Sequence, residues 1–200
     1  MTASIGPGGF VVDVDRRVAL DHLVTHEEWW RDWSQREERF EVVDGIPLMT
    51  PSEHAENVDA VMELVFLLRD VLIGRWIYQP GTSIRIAGEP LMTYRNPDLS
   101  LLRPGAPRST PLDSAWIELV VEALSPSTRR EDLGRKRLDY ASVGIPNYLI
   151  IDRSGSPRLT LLTGPVGGDY PDPGQDVVGE AVTLRIAGHE VTLRADDLIR

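Results

Sequence analysis

Hydrophobic and polar positions follow two different periods along this chain, and the switches between them mark its elements. Within residues 52–73, Val58, Val61, Val65, Leu68 and Leu72 recur at three- and four-residue steps. That single apolar stripe predicts the longest helix, ended by Gly74. His54 stands four residues before Val58 and is expected on the same stripe, as a packing histidine more readily than a catalytic one. A shorter helix is expected over 25–36, with Thr25 as N-cap and Glu28 completing a capping box. Apolar runs at 40–43 and 46–49 flank Asp44-Gly45 and read as a tight hairpin.

Short strands are expected at 76–79 and 83–86 around Pro80-Gly81, and Asn96-Pro97-Asp98 leads into another at 99–102. Residues 117–124 are almost wholly apolar, as a central buried strand should be. Ser125-Pro126 stops that strand, and Thr128 with Glu131 predicts a second capping box opening a helix to Ala141. Strands follow at 147–151 and 158–162, and 182–186 with 190–193 form a closing hairpin around Ala187-Gly188. The Gly-rich residues 1–10 are expected to fray, 103–111 to form a loop, and 164–179 to form a long mobile one. No repeat or low-complexity tract interrupts this order. It predicts an α/β fold: a mixed β-sheet flanked by helices, with residues 1–24 as an N-terminal arm and 25–200 as a single domain.

Composition narrows the chemistry. The 200 residues are 42% hydrophobic and 26% charged, values of an ordinary globular chain. No apolar run is long enough to span a bilayer, and the first ten residues lack the basic start and apolar stretch of a signal peptide. With no cysteine, thiolate metal sites and disulfides are excluded, and a cytoplasmic location is expected. A net charge of −10 opposes nonspecific coating of nucleic acid, yet it is compatible with a carboxylate-bound cation that faces phosphate. Every one of the 21 basic residues is arginine except Lys136. A compact ammonium does what a guanidinium cannot, so that single lysine marks a candidate position.

Glu122 lies in the middle of the apolar strand, on the side carrying Glu118, Val120 and Leu124. A carboxylate there needs a metal, an ammonium or a structural arginine to offset its desolvation. Asp98, after a proline at the start of the preceding strand, can converge with it as a second oxygen ligand; taken singly, Asn-Pro-Asp is turn chemistry. Asp132, Lys136 and Tyr140 are four residues apart and share a helix face, which brings Lys136 toward the carboxylates if the helix packs beside that strand. The plainer alternative is a solvated face with an Asp132–Lys136 surface pair. Arg129, Arg130, Arg135 and Arg137 make this the one basic stretch, suited to phosphates.

Glu-Val-Val-Asp-Gly at 41–45, His54, Pro97-Asp98, the run from Val121 to Thr128 with Asp132, Lys136 and Tyr140, and the run from Gly144 to Asp152 together resemble the Uma-type "putative restriction endonuclease" family of the PD-(D/E)XK nuclease superfamily. The resemblance spans roughly 25–195 and implies a restriction-endonuclease-like core. It implies Mg2+, with Mn2+ as a substitute, held by Asp98 and Glu122 with the main-chain carbonyl of Ala123, and Lys136 assisting the attacking water. It adds Glu41 as a further carboxylate and Tyr140 as a packing or hydrogen-bonding partner. In the superfamily pattern the lysine stands two residues after the second carboxylate; here Leu124 occupies that position, and Lys136 on the next helix looks like its replacement. Ala123 and Asn147 stand where relatives usually carry Val and Glu.

The expected function is therefore metal-dependent hydrolysis of phosphodiester bonds in nucleic acid, DNA before RNA, by a homodimer. Its rivals are a nuclease-like module that binds without cutting, and a Glu122–Glu41 acid/base pair acting on a sugar, which leaves Lys136 unexplained.

Overall fold

Among the described residues, one hydrophobic cluster is built on aromatic residues near the N-terminus and another on aliphatic residues around a central sheet. The structure, a computed structural model, describes residues 16–50, 52–126, 128–171 and 178–199, together with the backbone of two short N-terminal strands. The elements run β1 (Ser4–Ile5), β2 (Val11–Val12), α1 (His26–Glu28, continuing as a π-turn over Trp29–Trp33), β3 (Phe40–Val43), β4 (Ile46–Met49) and α2 (Ala55–Val71). Next come β5 (Ile77–Gln79), β6 (Ile84–Ala87), β7 (Thr93–Arg95), β8 (Leu99–Leu102), β9 (Ile117–Ala123), α3 (Arg129–Leu133) and α4 (Arg135–Ser142). The chain ends with β10 (Asn147–Ile151), β11 (Leu159–Thr163), β12 (Val178–Gly179), β13 (Ala181–Ile186), β14 (His189–Arg194) and α5 (Ala195–Leu198).

These elements fall into two compact units: Met1–Ser52 with Ser83–Asn96, and Glu53–Thr82 with Pro97–Arg200. In the first, the sheet order is β4-β3-β7-β6, all antiparallel. Its β3–β4 hairpin turns through Asp44 (φ 51) and Gly45 (φ 78), the pair of left-handed residues that a two-residue turn needs. A Cβ at Gly45 would also stand 2.9 Å from the Leu23 Cβ. Thr25 caps α1 as expected, its Oγ1 accepting from Glu28 N at 3.2 Å. Val24, Trp29, Trp33, Phe40, Val42, Met92 and Tyr94 fill the core.

The second unit carries the sheet β12-β11-β10-β9-β8-β5, in which β9 and β10 run parallel and the other pairs antiparallel. The α3–α4 segment is the crossover that parallel neighbours require. Leu119, Val121 and Ala123 of β9 face α2, the β13–β14 hairpin and α5. Alternation sends Val120 and Glu122 to the opposite face, toward α4.

Three expectations need correction. The buried stripe of α2 is Asn57, Ala60, Val61, Leu64, Val65 and Leu68, whereas Val58 is 47% exposed and His54 is an exposed N-cap residue without a side-chain cap bond. Val61, Val65, Leu68 and Leu72 are buried as expected, so the stripe fails only at its N-terminal end, where Asn57 and not Val58 turns inward. The helix expected from Thr128 to Ala141 is broken at Gly134 (φ −109, ψ −92), where a Cβ would lie 2.9 Å from the Arg130 carbonyl oxygen. The second capping box does not form, since Thr128 Oγ1 is drawn to Ser125, 3.3 Å from its N and 3.0 Å from its Oγ. Strand β7 and helix α5 are additions. The fraying expected for 1–10 falls outside the described residues, except for the backbone pairing of β1 with β2; of the long loop expected over 164–179, residues 172–177 also fall outside them, and 178–179 form β12, paired with β11.

Candidate active site

Pro97 sets the site's geometry. In the antiparallel register of β8 and β9, Ser100 pairs with Val120 and Leu99 with Val121, and the ladder ends there, at the residues that follow Pro97-Asp98 on one strand and precede Glu122-Ala123 on the other. Proline has no N–H to give, and its carbonyl is taken by Gly81 N at 3.1 Å. Ala123 therefore loses its ladder partners on this side. Its N–H donates instead to Asp98 Oδ2 at 2.7 Å. The Asp98 carboxylate thus accepts the N–H that the engaged Pro97 carbonyl leaves over.

Glu122 is 3% exposed, and its Oε1 accepts from Lys136 Nζ at 2.8 Å and from Tyr140 Oη at 2.7 Å. Lys136, 6% exposed, also lies 2.9 Å from Asp132 Oδ1. That oxygen is buried, and its contact with the ammonium is an ion pair without hydrogen-bond geometry. The alternative of a solvated Asp132–Lys136 surface pair is overturned, since both residues are buried. Although Gly134 breaks the helix, Asp132, Lys136 and Tyr140 still arrive together, and Tyr148 locks the crossover by donating to the Asp132 carbonyl at 2.9 Å. The Tyr140 and Tyr148 rings meet edge to face at 5.1 Å.

The electrostatics follow from this crowding. Burial, then the negative charge of Glu53, pushes the Asp98 carboxyl up to about 7; the Ala123 N–H and Lys136 pull it back, and Asp132 adds to the rise. The Tyr148 hydroxyl is held well above its ordinary value by burial, then by the charges of Glu122, Asp132 and Asp98. Three carboxylates thus share one ammonium.

Among the described residues, no three acidic or histidine side chains form a ready cage for a metal ion. The donor chemistry nevertheless fits a hard divalent cation. Two cross-strand carboxylates with surplus negative charge, beside a buried Asp132 oxygen lacking a hydrogen bond, suit an ion that keeps most of its water ligands. The Ala123 carbonyl has one lone pair engaged, accepting from Asn57 Nδ2 at 2.9 Å.

Glu41 belongs to the first unit, where Arg95 Nη1 donates to its Oε2 at 2.8 Å and Asn96 N to its Oε1 at 3.0 Å. His54 is exposed at the start of α2. Of the basic stretch, Arg129 pairs with Asp152 and Arg135 with Asp139 at 2.9 Å, while Arg130 is exposed. Arg137 is tied to Asp169 at 2.7 Å. Asp132 joins Lys136 and Tyr140 as their four-residue spacing suggested, whereas Asn57 was missed; four residues before Val61, it is the polar member of the buried α2 stripe.

The family model described as "Putative restriction endonuclease", Uma2, matches residues 26–195. The chain belongs to the Uma2 family. No curated protein matches it. Among solved structures it is similar to a protein from Anabaena variabilis titled "a putative nuclease belonging to DUF820", with a TM-score of 0.63 and 14% identity, covering 88% of this chain and 97% of that one. At that identity the likeness speaks for the fold: a mixed sheet flanked by helices, of restriction-endonuclease-like architecture. In this Uma2 protein, the stretches of the sequence that resemble the family include those around Asp98, Glu122 and Lys136. No helix among the described residues is long and apolar enough to cross a membrane.

Proposed function

We propose that this Uma2 protein hydrolyses phosphodiester bonds in nucleic acid, DNA first, with Mg2+ held by Asp98 and Glu122. The observation that carries the reading is the sole lysine of the chain, buried with its ammonium 2.8 Å from Glu122, whose neighbour Ala123 donates its N–H to Asp98 at 2.7 Å. When bound, the cation supplies charge that polarises the phosphoryl group and makes water more acidic. The chain's own residues do the rest. Asp98 and Glu122 are the ligands, fixed by the Ala123 N–H and by Tyr140. Lys136 orients the attacking water, and its charge offsets the negative charge that grows on the phosphate oxygens. The Ala123 carbonyl, already directed by Asn57, is a further oxygen at the same edge. Exposed Arg130 is the first candidate for a backbone phosphate, with Arg129 and Arg135 available only by leaving their acidic partners.

The test is cleavage of DNA and of RNA by purified protein with Mg2+ or Mn2+, compared with Lys136→Ala and Asp98→Ala. Wild-type cleavage should fall by ~100-fold or more in either variant, the scale of losing one preorganised transition-state contact. Absence of cleavage by wild type across both metals and both nucleic acids sinks the reading.

One observation favours a second reading, a nuclease-like module that binds without cutting. Leu124 is buried at the strand position where the superfamily pattern places lysine. Calorimetric titration with Mg2+ separates the two: a site lost in Asp98→Ala supports the enzyme, and no site in wild type supports the module.

A further inference from the structure

Asn57 is one of the few buried polar side chains of the second unit, 3% exposed among the aliphatic residues of α2. A polar amide in such a place has to be hydrogen-bonded. Its Nδ2 lies 2.9 Å from the Ala123 carbonyl oxygen and 3.4 Å from that of Leu124. Both carbonyls stand where β9 leaves the sheet. On the β10 side, the parallel ladder makes its last bond from Leu124 N to Ile151 O, after which Asp152 N turns to Arg158 O. On the β8 side, the ladder ends at Leu99–Val121, and two residues before Leu99 stands Pro97, which has no N–H to offer Ala123.

We infer that Asn57 is a positioning residue of the proposed active site: its amide replaces the donor that Pro97 lacks and so fixes the Ala123 peptide planes from which Asp98 and Glu122 are aimed. Glu122 and Ala123 share a peptide bond whose N–H holds Asp98 Oδ2 at 2.7 Å, and the next peptide's carbonyl is held by Asn57. The two side chains therefore clamp Ala123 from opposite ends. Helix α2, which packs on the other face of the sheet, reaches through Asn57 to the strand end that carries the chemistry. Without the clamp, the end of β9 is held by its ladder to β10 on one edge alone, and the two carboxylates lose their common geometry. Groups that orient ligands in this indirect way set metal affinity as well as rate.

This inference rests on the proposed metal-dependent reading, and the experiment keeps the two apart. Asn57→Leu conserves volume and removes the donor, while Asn57→His returns an N–H at similar reach. Leu64→Val, on the same helix, controls for loss of core packing. Mn2+ is titrated calorimetrically into each, and hydrogen exchange of the Ala123 amide is measured without metal. Asn57→Leu should weaken Mn2+ binding about tenfold and speed Ala123 exchange by a similar factor, Asn57→His should recover most of both, and Leu64→Val should change neither. Wild-type affinity and wild-type Ala123 exchange in Asn57→Leu overturn the inference, as does an equal loss in Leu64→Val. If wild type binds no Mn2+, the metal reading fails on its own, and Ala123 exchange still decides whether Asn57 positions the strand end. Should Asn57→Leu not fold, Asn57→Ser, whose hydroxyl is too short to reach either carbonyl, is judged by the same two measurements.

Discussion

Asp98→Asn should make this protein more stable at neutral and alkaline pH while removing its metal site. The Asp98 carboxyl rises from 3.8 to about 7 because burial and the charges of Glu53 and Asp132 outweigh the Ala123 N–H and Lys136. A folded value above the unfolded one means that the folded state holds the proton more tightly. Stability is therefore lost as pH rises through the unfolded value of 3.8, and the loss is complete above the folded value near 7. At ~1.4 kcal/mol per pH unit, this amounts to an upper limit on the order of 4 kcal/mol. Asp98 is half-buried and water relaxes part of the strain, so about 2–3 kcal/mol is expected. Asparagine carries no charge, and its Oδ1 can still accept from Ala123 N. The assay is urea denaturation of wild type and Asp98→Asn at half-unit steps from pH 4.5 to 8.5 without divalent metal. The stability gap should open steadily to about pH 7 and then level off, with a melting temperature roughly 5–10 °C higher for the variant at pH 8.5. A gap that is flat with pH, or that favours wild type at pH 8.5, refutes the electrostatic account of the site. Mg2+ added at pH 8.5 should raise the stability of wild type alone.

Further expectations test separate contacts. Tyr140→Phe removes one donor from buried Glu122 and should cost about 1–2 kcal/mol in denaturant unfolding, with slower metal-dependent cleavage. Glu41→Gln strips the carboxylate from the fully buried Arg95 and should destabilise by ~3–5 kcal/mol, measured by urea unfolding. Val58→Ser should be neutral within ~0.5 kcal/mol because Val58 is half exposed, while Leu64→Ala, in the buried stripe, should cost about 2–5 kcal/mol. The same denaturation series reads both.

What the sequence disclosed depended on how local the cause was. Asp44-Gly45 announced its hairpin because two left-handed residues allow only that turn. Thr25 announced its helix because a cap acts over three residues. The apolar run at 117–124 announced a central strand, and Glu122 stood out in it because a buried carboxylate needs a partner. The errors came where a longer-range partner decides. The sheet that α2 covers buries Val61, Val65, Leu68 and Leu72 as their spacing suggested, but at the helix start it takes Asn57 and not Val58, which hid Asn57 and misplaced His54. The break at Gly134 depends on how the crossover spans from β9 to β10, and no local pattern marks it beyond the glycine itself.

Pro97 shows why the site was only half legible. Read alone, a proline before an aspartate is turn chemistry, and the residue pair carries little information. Its meaning appears once the ladder is known, because β8 and β9 stop pairing at Leu99–Val121, just beyond Pro97, which has no N–H to give and whose carbonyl accepts from Gly81. Two side chains from distant parts of the chain take over the Ala123 backbone groups: the Asp98 carboxylate accepts from its N–H, and Asn57 donates to its carbonyl. The first contact holds a carboxylate at the Glu122–Ala123 peptide, where surplus negative charge raises its proton affinity and favours a cation. The second ties the same strand end to the helix behind the sheet. A backbone vacancy that would be a defect elsewhere in the sheet thus becomes the element that gathers and holds the acidic groups, and it can do so only at a position where strands β8 and β9 are already in register.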